Sequence, residues 1–409
     1  MQLYFTASFA LTLLFYALNC NVCNGARVEQ PPSSRTSNKI VLTPTEAALT
    51  GNFDRPLELT ESKVMSEGEA QFVQFLDSST GWIGTSKLLY KTSDGGTSWE
   101  RFDLNLPPNS YVSGFSFVSA TKGWLAVTSK TEAQPHGLRD STQIMVTRDC
   151  GKSWSEQALF ENDVTINDLR FANSDDGMAI GHKVISDPQS HEQIFAVKTA
   201  DGGQTWVNIS DRLESATKNE FGKSFASGAS ISWLASSQIF VLTRQGQIIA
   251  SKDSGLTWER TVQLEDERPD KSISSTGYYK IVLDTEHKIR IIAGAMGQEG
   301  YWGDLILNGA SDSWVNYELL RTPIHDVVFL STNEFVACGQ EILAFDETTK
   351  TRLPPSGIIL HSLDGGKTWS PVYRSKASGD FISITKAGDR RFFAVSDTGT
   401  FVRFSLSNN

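Results

Sequence analysis

Residues 92–99 read TSDGGTSW. The same octet returns as TRDCGKSW (147–154), TADGGQTW (199–206), SKDSGLTW (251–258) and SLDGGKTW (362–369). All five follow Ser/Thr-x-Asp-x-Gly-x-Ser/Thr-Trp. A sixth copy, LNGASDSW (307–314), keeps only the closing Ser-Trp. The six tryptophans stand at 99, 154, 206, 258, 314 and 369, spaced by 55, 52, 52, 56 and 55 residues. Such regularity marks an internal repeat, and a period near 50 points to blades or arrays of one supersecondary unit.

Each unit has the same internal plan. In the first, AQFVQFLD (70–77) alternates apolar and polar residues, the pattern of a half-buried strand. The tetrad DSST follows, then GWIGTS (81–86), KLLYKTS (87–93), the octet, and SWERFDL (98–104). That is four short strands separated by turn chemistry. The second unit repeats it as VSGFSFVS, GWLAVTS, QIMVTRD and SWSEQAL, and the third as INDLRFA, GMAIGH, QIFAVKTA and TWVNIS. Four-stranded antiparallel units repeated around an axis make a β-propeller. After Trp369 three more strands follow without an octet: DFISITK (380–386), RFFAVSD (391–397) and TFVRFSL (400–406). NKIVLTP (38–44) and RPLELTES (55–62) are each able to supply the missing fourth strand. The sequence therefore predicts an all-β chain, a single seven-bladed β-propeller over 70–409. An N-terminal segment, 27–69, closes the ring by pairing with the C-terminal blade; six blades is the alternative count.

The octet falls between the third and fourth strands, so it is read as a hairpin turn. A short Asp carboxylate can accept backbone N–H groups within a turn, and Gly supplies positive φ. Competing readings fail on composition. A calcium loop needs several oxygen ligands and a closing Glu, whereas each octet has one carboxylate. The Gly-Lys-Ser/Thr tripeptides at 151–153 and 366–368 lack the Gly five positions earlier that a phosphate loop requires, Val146 and His361 standing there instead. The octets resemble the Asp-box, or BNR repeat, of sialidase-like propellers. That resemblance implies a structural role at the rim for Asp94, Trp99, Asp149, Trp154, Asp201, Trp206, Asp253, Trp258, Asp364 and Trp369.

The first 26 residues carry no Asp, Glu, Lys or His and only a single Arg-free apolar run centred on Leu11–Leu18, with small residues at Cys23, Gly25 and Ala26. They read as a cleaved secretory signal, although the positively charged n-region is missing. The alternative is an uncleaved anchor, since about 18 apolar residues just span a bilayer. Either reading places the rest of the chain outside the cytoplasm: secreted, periplasmic or lumenal. Cys20 and Cys23 lie in this leader. Cys150 and Cys338 lie in different repeats, which argues against a disulfide framework and makes both small apolar residues. The net charge of −10 argues against a nucleic-acid partner. A monomer is expected.

Loop lengths separate the two ends of the units. First-to-second connections are short, and with the octets they share one face. Long insertions collect on the other, at 129–141, 183–192, 211–224, 264–275, 295–304 and 346–357. Long loops on a rigid scaffold carry binding. His136, Arg139, His191, Tyr301, Trp302 and Arg352 are the candidate partner-binding residues there. The six histidines (136, 182, 191, 287, 325, 361) show no compact metal spacing, and no Gly-x-Ser-x-Gly elbow occurs. No catalytic residue, cofactor or metal is assigned.

Two functional readings follow. The first is an exo-acting, sialidase-like glycoside hydrolase. Resemblance to that family implies an arginine trio, a Tyr/Glu nucleophile pair and an acid Asp, and other inverting or retaining hydrolysis needs two facing carboxylates. Asp168 and Asp326, in first strands near the channel, are the candidates, but FDRP (53–56) only approximates the Arg-Ile-Pro motif of that family. A carbohydrate ligand stays open on this reading. Alternatively, GWIGTSKLLYKTSDGGTSWERFDL (81–104) resembles the repeat of the photosystem II assembly and stability factors, and 115–154 and 171–206 carry the same line. That resemblance implies a non-enzymatic, extracytoplasmic propeller that binds a protein partner, a membrane-protein assembly intermediate.

Overall fold

In a computed structural model of the protein, the described residues are 39–42, 44–46, 48–49, 56–65, 68–133, 137–186, 191–218, 228–235, 237–266, 276–283, 289–295, 317–319, 324–341, 345–346, 351–352 and 356–407. They fall in the unit Ser37–Asn409. The leader, the sixth octet, His136, Tyr301 and Trp302 lie outside them. Apart from one helix of eight residues, the regular elements are strands, mostly in four-stranded antiparallel sheets.

Strands succeed one another across each sheet in chain order, as short turns between alternating strands require. The first sheet runs Ala70–Phe75, Gly81–Thr85, Leu88–Thr92, Glu100–Asp103. The second runs Ser110–Phe117, Gly123–Ala133, Gly137–Thr147, Ser155–Phe160. The third runs Val164–Phe171, Gly177–Ile185, His191–Thr199, Val207–Asn208. The fourth runs Gly228–Ala235, Gln238–Thr243, Gln247–Ser251, Glu259–Asp266. In the fifth, Thr276–Leu283 pairs with Ile289–Ala295. The sixth runs Ile324–Phe329, Phe335–Glu341, Ser356–Ser362, Thr368–Ser378. The last runs Phe381–Lys386, Arg391–Ser396, Thr400–Ser405, and its fourth strand is Glu58–Lys63 from the other end of the chain, antiparallel with Phe401 opposite Ser62.

The second strands are mostly buried because they are covered on both faces; Gly81–Thr85 is buried at every residue, and Gly177–Ile185 over its first five. The core is accordingly a set of clusters, each shared by two sheets. One joins the first and second sheets, one the second and third, one the third and fourth, one the sixth and last, and one the last and first.

A repeated aromatic joint forms three of these contacts: first to second, second to third and last to first. The third and fourth sheets meet instead through side chains such as Ile180, Ile231 and Val241. The first strands of the first three sheets end in Phe75, Phe117 and Phe171, directly opposite Gly81, Gly123 and Gly177. A Cβ on these glycines would meet the ring at 2.6, 2.6 and 2.4 Å. Only glycine leaves room for the ring. The next residue, Trp82 or Trp124, points the other way and is fully buried. Trp82 stacks on Phe117 of the following sheet (4.0 Å between centroids), and Trp124 on Phe171 (3.4 Å). Phe393 of the last sheet stacks on Phe75 of the first in the same way (3.7 Å, 4° between planes). Such pairs are worth about 0.5–1.5 kcal/mol beyond the area they bury.

Upstream of Glu58 the N-terminal segment pairs with outer strands elsewhere, always in parallel. Lys39–Leu42 adds to Glu259–Asp266, Pro44–Glu46 to Tyr317–Leu319, and Ala48–Leu49 to Thr368–Ser378. Of the two segments that the sequence offers as the fourth strand of the last sheet, the later one takes the position. Two further differences have local causes. The 211–224 connection, read as an open loop, begins with the helix Ser210–Thr217, whose Leu213 and Thr217 are buried. Cys338 is a buried apolar residue, but Cys150 is half-buried with φ +73, so it is a turn residue.

The joint makes a simple substitution informative. Gly123→Ala is expected to lose about 1–3 kcal/mol by overpacking against Phe117, read from the urea midpoint. An unchanged midpoint would mean that the ring is free to move aside.

Candidate functional site

In all five described octets one hydrogen-bond pattern recurs. The first-position hydroxyl donates to Asp Oδ1: Thr92 to Asp94 (2.8 Å), Thr147 to Asp149 (2.8 Å), Thr199 to Asp201 (2.7 Å), Ser251 to Asp253 (2.8 Å), Ser362 to Asp364 (3.0 Å). The same hydroxyl accepts the N–H of the fifth-position glycine. Asp Oδ1 also accepts the seventh-position backbone N–H, and Oδ2 its hydroxyl, at 2.5–2.9 Å throughout. The fourth and fifth positions both have positive φ, which explains their glycines. The Trp indole N–H of 99, 154, 258 and 369 returns to the fifth-position carbonyl, whereas Trp206 Nε1 has no hydrogen-bond partner. These carboxylates are fully engaged by their own turns. Hydrogen bonds, first from the seventh-position hydroxyl and then from its backbone N–H, pull Asp94, Asp149, Asp201 and Asp253 down to about 2. For Asp364 burial pushes upward, but the bonds from Thr368 and Ser362 prevail and its pKa is lowered.

The octets also reach across sheets. The fourth-position carbonyl accepts a donor from the preceding sheet: Trp82 Nε1 to Cys150 (3.3 Å), Trp124 Nε1 to Gly202 (3.3 Å), and Arg403 Nη1 to Gly95 (3.0 Å). The fourth-position N–H donates to the first-to-second turn of its own sheet, as Gly95 to Ser79, Cys150 to Thr121, Gly202 to Asp175, Ser254 to Ser237 and Gly365 to Asn333. One end of each of these sheets is therefore closed by its own turns.

The opposite end carries the second-to-third connections. The strands Gly123–Ala133 and Gly137–Thr147, eleven residues each, form the longest hairpin described. Arg139 stands exposed on it, 3.9 Å from Asp163. His191, partly buried, opens the strand His191–Thr199 opposite Ile185. Arg352 lies in the short pairing of Phe345–Asp346 with Thr351–Arg352. The structure thus spreads these three over the second, third and sixth units rather than gathering them. A polar group that sequence reasoning passed over forms between the second, third and fourth sheets. Thr165 donates to Asp140 (2.9 Å), His182 lies 3.7 Å from Glu192, and Arg244 is exposed in the turn after Thr243. Burial, then the field of Arg244, lower the His182 pKa against the pull of Glu192 and Asp140. Burial and Asp140 raise that of Tyr111. None of these residues belongs to a motif, so only their contacts reveal them.

The first strands of the seven larger sheets described above contribute to one pocket of about 390 Å³. Its lining includes Gln74, Ser113, Asn167, Ser230, Lys280 and Thr385 from six of them. Asp168 and Asp326, the carboxylates that the sequence offers to a hydrolase, both line it and are buried. Asp168 Oδ2 accepts the Ile231 N–H (2.9 Å) and the Ser230 hydroxyl (3.3 Å); Asp326 Oδ2 accepts the Ile384 N–H and the Ser383 hydroxyl (both 3.1 Å). Each therefore stitches its strand to the next. Among the described residues no three His, Cys, Asp or Glu side chains are placed to hold a metal, and no helix is long and apolar enough to cross a membrane.

No family model matches the sequence, and no curated protein matches it. Solved structures do. YCF48 bound to D1 peptide superposes with a TM-score of 0.55 at 17% identity, covering 87% of this chain and 100% of that one. The GH74 enzyme of Niastella koreensis gives 0.52 at 16%, covering 84% of this chain and 53% of that one, so this chain spans about half its length. The WD40 β-propeller domain of Doa1 gives 0.50 at 9%, covering 87% and 97%. Likeness at these identities establishes the fold, a β-propeller.

The lowered octet carboxylates predict acid sensitivity. Because their folded pKa lies below the unfolded value of about 3.9, their contribution is complete above about pH 4 and disappears as pH falls through about 2. Asp201→Asn should lower the melting temperature at neutral pH, and the gap to the unmodified protein should shrink between about pH 4 and pH 2. A gap independent of pH would show that the ionised carboxylate contributes nothing.

Proposed function

We propose that this chain is a seven-bladed propeller that acts outside the cytoplasm and binds a protein partner through its long-loop end, the partner being a membrane-protein assembly intermediate. The observation that carries the reading is the asymmetry between the two ends of the sheets. At one end the octets and first-to-second turns hydrogen-bond to each other. At the other, hairpins of up to eleven residues per strand carry Arg139 and His191, with the Tyr111, Asp140, His182 and Arg244 group beside them. YCF48, similar in fold, has been solved bound to D1 peptide, which supports a propeller that binds protein. Support for seven blades comes from the seven first strands that line one pocket, and for closure from the pairing of Glu58–Lys63 with Thr400–Ser405. On this reading the octets are Asp-box turns with a structural role, and His136, Tyr301, Trp302 and Arg352 belong to the binding end.

The second reading, an exo-acting glycoside hydrolase, draws on the GH74 likeness. It would have to use Asp168 and Asp326, each with one oxygen engaged by a backbone N–H of the next strand. That engagement favours the binding reading.

The test is capture from detergent-solubilised membranes of the native host. Arg139→Glu and Trp302→Ala should each weaken capture of the specific partner by about tenfold or more if they are contact anchors. Lys152→Glu, in an octet at the opposite end, should leave it unchanged. Loss with Lys152→Glu and retention with the other two would put the partner on the wrong end. Fractionation of the native host that found the chain in the cytoplasm would contradict the proposed location.

A further inference from the structure

The pocket among the first strands differs from its surroundings in how its polar groups are used. In the first two sheets, the residue before the terminal Phe of the first strand bonds to the next sheet. Gln74 accepts the Phe117 N–H (3.0 Å) and donates to the Phe117 carbonyl (2.8 Å), and Ser116 accepts the Phe171 N–H (3.0 Å). In the third sheet the same position is Arg170, and the stitch is made by Asp168 and Asn167 instead, the latter donating to the Gly228 carbonyl (2.6 Å). Arg170 is released from that duty. Its Nε donates to Asp168 Oδ1 (3.0 Å), which fixes the guanidinium, and its side chain remains 45% exposed. Among the described residues its two Nη groups make no hydrogen bond. Lys280, 29% exposed, is held in the same way by Asp326 Oδ1.

The acceptors in the pocket are thus largely engaged, Oδ1 of each Asp by a cation and Oδ2 by the neighbouring strand. The donors are in surplus, because a guanidinium has five N–H groups and an ammonium three. A planar guanidinium fixed through Nε presents its Nη edge in the geometry that a carboxylate fits. The volume, about 390 Å³, lies in the range of small-molecule sites.

We propose that the pocket binds the carboxylate of a small organic acid, with Arg170 as the anchoring residue and Lys280 as a second cation on the lining. This site is separate from the long-loop partner surface and does not depend on it. Asp168 acts as a positioning residue, because it orients the guanidinium while holding Ile231.

The experiment titrates the full chain with D-glucuronate and with citrate by isothermal calorimetry, using sodium chloride at matched ionic strength as the reference. Saturable binding of at least one acid, with no equivalent signal from chloride, is expected. Arg170→Gln should weaken it by about tenfold or more, and Arg170→Lys should fall between, since it keeps the charge and loses the fork. Should Arg170→Gln fail to fold, Arg170→Lys carries the comparison. The proposal is overturned if neither acid binds at about 10 mM, where even a millimolar site is nearly full. It is equally overturned if chloride gives the same response, or if the Arg170 variants bind like the unmodified protein.

Discussion

Three of the contacts between neighbouring sheets depend on a phenylalanine at the end of a first strand lying flat against an aromatic side chain of the sheet before it. A four-stranded sheet alone exposes two apolar faces and is not independently stable. The stacked rings of Trp82 on Phe117 and Trp124 on Phe171 cover them and fix the spacing between sheets. The demand then propagates into the sequence. The ring needs an opposing glycine, hence Gly81, Gly123 and Gly177. The octet tryptophans 99, 154 and 206 meet Phe75, Phe117 and Phe171 edge-on at 6.2, 6.1 and 5.8 Å. Gly-Trp and the octet are therefore two parts of one joint.

Within that joint the octet does more than reverse the chain. Its Asp satisfies the turn from inside, and its fourth carbonyl takes a hydrogen bond from the sheet before it. Where the last sheet meets the first, no tryptophan is available to donate. Arg403 supplies the bond to Gly95 instead, with Phe393 and Phe401 packed around Phe75 and Trp99. The chemistry changes while the geometry of the contact is kept.

Repetition made the fold legible. The octets, the four-strand plan and the unequal loop lengths are local patterns that a single sequence displays five times over. The use of RPLELTES as the outer strand of the last sheet was legible as one of two choices. What stayed hidden involved partners distant in sequence. The parallel pairings of Lys39–Leu42, Pro44–Glu46 and Ala48–Leu49 with outer strands of other units use backbone groups, which leave no residue signature. Arg170 belongs to no motif; the stitches by Gln74 and Ser116 show what its position does in the first two sheets. Asp168 and Asp326 were placed near the channel by their strands, but their engagement with Ile231 and Ile384 needed the neighbouring sheet.

The closure of the sheets into a ring is the claim on which both the partner surface and the acid-binding pocket rest. A double-mutant cycle on Phe75 and Phe393, each changed to Leu singly and together, tests it most directly, because the two rings lie more than 300 residues apart in the chain. Denaturation should reveal a coupling energy of about 0.5–1.5 kcal/mol, the range of stacked aromatic pairs. Additive single effects, with no coupling, would contradict a joint between the last sheet and the first.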